Sequence, residues 1–102
     1  MWIRTQNRQR IVNTDQVIDI FVDKTGTKIM AETTRNRENG DFLTLGEYEN
    51  RDTCLEILDV LMIVGDHDDV KWLQLPLGGD VESWLNDSHH MAEKLYIYKK
   101  GH

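Results

Sequence analysis

The chain has one cysteine, Cys54, so it cannot form an internal disulfide. It has no run of the ~20 apolar residues that a membrane span needs, so no membrane segment is expected. The opening MWIRTQNRQR carries arginines but no apolar h-region, and does not read as a signal peptide. Together these absences point to a reducing, cytoplasmic setting. A Gly-x-Ser-x-Gly elbow, a phosphate-cradling loop and a dinucleotide fingerprint are all missing. The sequence therefore assigns no catalytic residue and no cofactor. There is no repeat, linker or low-complexity stretch, and 102 residues make one domain.

Charge is the next constraint. The net charge is -6, and all six arginines lie in the first half of the chain. Residues 52–102 hold 4 basic and 10 acidic side chains. That balance argues against general nucleic-acid binding, which needs a net basic face. A local basic patch from Arg4, Arg8 and Arg10 remains open.

The middle of the chain carries the clearest structural signal. Leu43 and Leu45 alternate with Phe42 and Thr44, the period of a strand with one buried face. Gly46 is placed to turn the backbone. Asn50 is a good N-cap, and Asp52 sits in the first turn, where the helix dipole favours negative charge. Leu55, Leu58, Leu61 and Met62 follow helical spacing, widened by Cys54, Ile57 and Val64. This stripe predicts a helix over 51–64 buried on most of its surface, with Gly65 closing it in a left-handed conformation.

Upstream, Trp2 to Thr5 and Ile11–Val12 read as short extended segments. Ile18, Ile20 and Val22 alternate with Val17, Asp19 and Phe21. Asp23-Lys24-Thr25-Gly26 reads as a hairpin turn, and Ile29, Ala31 and Thr33 mark the returning strand. Downstream, Val70 to Leu75 is extended and stops at Pro76. A short helix carries Val81, Trp84 and Leu85, and LYIYKK at 95–100 looks like a final strand. The expected fold is α+β: an antiparallel meander of four or five strands with the 51–64 helix packed on one face.

Four groups of residues are candidates for function. Asp66, His67 and Asp68, with Asp69, offer oxygen and nitrogen donors to a metal, but their spacing is not that of an EF-hand loop. His89 and His90 are adjacent and point apart, which suits one shared metal poorly. Cys54 lies near a helix start but on its apolar face, where a thiol is inert. Trp2, Trp72, Trp84, Tyr96 and Tyr98 are many large aromatics for a small domain, and Trp84, Tyr96 and Tyr98 are the candidates for a protein interface. If Leu95 and Ile97 face the core, both tyrosines face out. The same strand could be a sheet edge where a homodimer joins.

The opening Met1-Trp2-Ile3-Arg4-Thr5-Gln6-Asn7 and the later Leu45-Gly46-Glu47-Tyr48, followed by Leu55, Ile57 and Leu58, resemble small uncharacterised proteins of Gram-positive bacteria and their phages. The resemblance covers residues 1–62 and implies a phage or prophage origin. It brings no activity and no catalytic residue. At the helix start this chain has Arg51-Asp52-Thr53-Cys54 where the family often has Glu-Arg-Ala.

The functional expectation is a non-enzymatic binding protein acting through an acidic and aromatic surface. Its partner is a protein, and the acidic second half favours a basic partner surface. The alternative is a small-ligand or metal-binding module, or an enzyme, with its site at Asp66–Asp69. A structural oligomer is the third reading.

Overall fold

The computed structural model describes residues 1–35, 42–66 and 69–87. Strands β1 (Trp2–Arg4) and β2 (Ile11–Asn13) form an antiparallel hairpin with Ile3 opposite Val12. At its tip Arg8 adopts a φ of 64°, a left-handed conformation that a residue with a Cβ resists. The surrounding bonds hold it there. Arg8 N donates to Thr5 O and Thr5 N to Arg10 O, both at 2.9 Å, while Asn7 Oδ1 accepts from Thr5 Oγ1 and Gln9 N.

A 3-10 turn at Thr14–Gln16 redirects the chain into β3 (Val17–Val22). β3, β4 (Lys28–Thr33) and β5 (Leu43–Glu47) pair antiparallel in that order, the meander that the alternation predicts. The Asp23–Gly26 turn forms as expected. Gly26 takes a φ of 80°, and Asp23 Oδ1 accepts from Gly26 N at 3.1 Å and Lys28 N at 3.0 Å.

Helix α1 (Arg51–Gly65) begins at the predicted cap, where Asn50 Oδ1 accepts from Thr53 N at 2.9 Å. The chain then returns through β6 (Trp72–Gln74), which pairs parallel with β1. Trp2 N donates to Lys71 O, and Leu75 N to Arg4 O. A 3-10 turn at Gly78–Asp80 leads into helix α2, which covers residues 81–87 of the described chain. The fold is thus α+β with one main helix, as the sequence predicts. The six described strands divide into two sheets of three, β2-β1-β6 and β3-β4-β5. The predicted strand at 95–100 lies outside the described residues.

One apolar cluster joins both sheets and α1. Ile3, Val12 and Leu73 enter it from the first sheet, and Ile29, Ala31 and Leu45 from the second. Cys54, Ile57, Val60, Leu61 and Val64 enter it from α1. The side chains of Ile3, Ile29, Leu45, Ile57 and Leu75 are fully buried. Each contributes about 1.5–3 kcal/mol relative to an exposed position.

Four local expectations are corrected. Ile18 does not share the buried face of Ile20 and Val22. The β3–β4 register shifts between Val17 and Asp19, and this bulge leaves Ile18 46% exposed. α1 is not buried on most of its surface: Leu55 and Met62 face outward, and Val60 takes a core position instead. Only one side of the helix meets the sheets. Gly65 is the last helical residue and not a left-handed cap, since Asp66 follows in the right-handed α region and donates its N–H to Ile63 O at 3.4 Å. Gly46 lies within β5 rather than at a turn. Its role is close approach: a Cβ there would sit 2.8 Å from Cε2 of Tyr48.

Candidate functional site

The sheet β2-β1-β6 owes its two-sidedness to strands of three residues. The central residue of each, Val12, Ile3 and Leu73, points into the core, so the residues flanking it point out. Register places them in two rows. Asn13, Trp2 and Trp72 form one row, and Ile11, Arg4 and Gln74 form the next. Neighbouring strands lie about 4.8 Å apart, so the two tryptophans occupy adjacent positions on this outer face. Trp2 is 48% exposed, Trp72 64% and Ile11 61%. Single exposed apolar residues are ordinary, but adjacent large ones on one face are a feature of binding surfaces.

The charge around this face differs from that of the whole chain. Residues 1–15 and 69–75, which supply the sheet, its hairpin and the turn beside Trp2, carry Arg4, Arg8, Arg10 and Lys71 against Asp15 and Asp69. That is a local net charge of +2, which leaves -8 on the remainder of a chain whose total is -6. Arg4 is steadied by Nε donating to Arg8 O at 3.4 Å.

A second exposed face runs along α1. Leu55, Asp59 and Met62 fall at i, i+4 and i+7, with Glu56 and Ile63 beside them, so all five share one side of the helix. Met62 is the most exposed, at 70%. Asp52 extends the acidic character to the first turn.

A cleft of about 730 Å³ is lined among the described residues by Arg10, Ile11, Asn13, Gln16, Thr34 and Arg35, with others. The guanidinium groups of Arg10 and Arg35 give it positive charge, which suits an anion.

The sequence candidates fare differently. Asp66 is exposed at the end of α1, while His67 and Asp68 lie outside the described residues, as do His89, His90, Tyr96 and Tyr98. Among the described residues, no three His, Cys, Asp or Glu side chains gather to hold a metal. Trp84 is half-buried against the core, and its Nε1 donates to Gln74 O at 2.8 Å. Cys54 is wholly buried. Burial, reinforced by the charge of Asp23 and opposed by that of Arg51, pushes its thiol pKa up, the reverse of what a nucleophilic thiolate needs. Among the described residues, no helix is long and apolar enough to cross a membrane.

The pairing of Trp2 with Trp72 was beyond sequence reasoning. Alternation about Ile3 and Leu73 signals that each tryptophan faces away from the core, but nothing in the sequence says that their strands are neighbours. No family model matches the chain, and no curated protein or solved structure matches it.

Proposed function

We propose that this protein is a non-enzymatic binding module that engages a protein partner through the outer face of β2-β1-β6. The observation that carries this reading is the pairing of Trp2 with Trp72, which sets two large, exposed aromatics at adjacent positions on one face. Tryptophan and arginine are the residue types on which interface energy concentrates, because they combine a large apolar area with hydrogen-bond donors. Arg4 in the next row supplies the second type. Because this face is locally basic, the surface that fits it is acidic. The basic partner surface expected from the net charge fits the acidic side of α1 instead. The reading extends to a cytoplasmic location, supported by the lone cysteine. It also extends to a phage or prophage origin, supported by the resemblance over residues 1–62.

The test uses wild-type protein and a Trp2→Ser, Trp72→Ser double variant as parallel baits against host lysate. A protein retained by the wild type and lost from the double variant, with the far-UV circular dichroism of the two baits unchanged, supports the reading. Equal retention by both baits moves the working surface elsewhere.

A further inference from the structure

We infer that the sheet face and the outer side of α1 are the two halves of one heterologous contact, so that the occupant of each is a second copy of this chain. The inference rests on the sheet face being a binding surface, and it names the partner. Both faces combine exposed apolar side chains with charge of a single prevailing sign. On the sheet these are Trp2, Trp72 and Ile11 with Arg4; on the helix they are Leu55, Met62 and Ile63 with Glu56 and Asp59. The signs are opposite. Each apolar patch therefore offers the other a desolvated contact with a complementary rim, which is the arrangement that gives specificity and speeds encounter.

One molecule cannot satisfy both faces itself. The inner sides of the sheet and of α1 meet in the same core, through Ile3 and Leu73 on one part and Ile57 and Leu61 on the other. Each outer side therefore faces away from that shared core. A contact between unlike faces leaves one of each free at the ends of any assembly. Copies then add head to tail, growing as a chain unless the rotation between them closes a ring. The patches are small, one of three short strands and one of a 15-residue helix, so the contact belongs to the weak, concentration-dependent class.

Sedimentation velocity of the full chain over a range of concentrations tests this. The weight-average mass is expected to rise with concentration past that of a dimer at about 50 mM salt and to fall back at about 500 mM, as screening removes the charge term. Trp72→Ser should abolish association from one side, and a Glu56→Lys, Asp59→Lys double variant from the other. Mixed together, the two variants should form a one-to-one dimer and nothing larger, because each retains the face the other lacks. All substituted side chains are exposed, and circular dichroism checks that each variant is folded.

A wild type that stays monomeric overturns the inference, as does a dimer that plateaus, which signals like faces meeting. So does a mixture of variants that stays monomeric. A monomeric wild type that still loses a lysate partner on Trp2→Ser, Trp72→Ser substitution refutes the second copy and leaves the binding surface standing. Self-association that survives Trp72→Ser, with capture equal for both baits, ends both readings.

Discussion

The carboxamide of Gln6 meets the backbone of Glu47 with both its ends. Oε1 accepts from Glu47 N and Nε2 donates to Glu47 O, each at 2.8 Å. Gln6 N also donates to Leu45 O at 2.8 Å. The side chain thus stands in for one residue of a further strand along the end of β5, and ties the hairpin of one sheet to the edge of the other. Gln6→Ala removes both side-chain bonds from an accessible site, where water takes them over. A loss of about 1 kcal/mol is expected in urea unfolding, with an unchanged slope. Gln6→Glu keeps the acceptor but sets a carboxylate oxygen against the Glu47 carbonyl, and should destabilise more than the alanine.

Tyr48 is locked from two directions. Its ring covers Gly46, and its buried hydroxyl donates to Pro76 O at 2.9 Å. Tyr48→Phe leaves that carbonyl without its partner and should cost about 1–3 kcal/mol. Gly46→Ala forces a methyl into the ring and should cost about 1–3 kcal/mol through overpacking. Thermal or urea unfolding of the two variants measures each. Because the ring is the shared partner, the double variant should fall short of the sum.

Alkaline pH probes the same phenol. Burial, with the charge of Cys54 adding to it, raises the Tyr48 pKa above its ordinary value. The unfolded phenol ionises near pH 10 while the folded one holds its proton, so above about pH 10 the unfolded state gains relative to the native one. Stability is therefore fully present below that pH and is lost as pH rises through the window. Tyr48→Phe should flatten the decline in Tm between about pH 9 and 11, and an unchanged profile contradicts the assignment.

Asp23 sets the opposite dependence. The hydroxyl of Thr25 is the main cause of its lowered carboxyl pKa, opposed by desolvation and helped by the N–H groups of Lys28, Thr27 and Gly26. A depressed carboxyl stabilises the fold above its unfolded pKa of about 3.9 and loses that contribution as pH falls. The Tm gap between wild type and Asp23→Ala should be widest at neutral pH and should narrow as pH falls below about 4.

Cys54 should resist iodoacetamide in the native state and react only as the protein unfolds, because its thiol is buried and its pKa raised. Mass spectrometry over a urea series reads this directly. Labelling of the folded protein at the rate of a free thiol contradicts the burial.

Legibility followed the range of the interactions. The Asp23–Gly26 turn, the Asn50 cap and the alternation in β4 are set by residues a few positions apart, and the sequence displays them. Ile18 failed because a bulge shifts register without any local glycine to announce it. Leu55 and Met62 failed because a wide apolar stripe does not say which part of it a sheet covers. Gly46 was legible as a special position but not as the floor beneath Tyr48, a contact made by side-chain direction. The candidate surface was the least legible part. It exists only because β6 lies beside β1, and periodicity gives a strand's faces but never its neighbour.

That parallel pairing also orders events in time. β3, β4, β5 and α1 are consecutive, and their contacts close short loops of chain. β1 acquires its second neighbour only when residues 72–74 arrive. Long-range closures come late because their entropy must be offset by structure already formed. On a ribosome the meander and helix can assemble while the first residues hold only their hairpin partner. Until β6 emerges, one edge of β1 stays open to other chains, and the slow step of folding should be the docking of β6 onto β1.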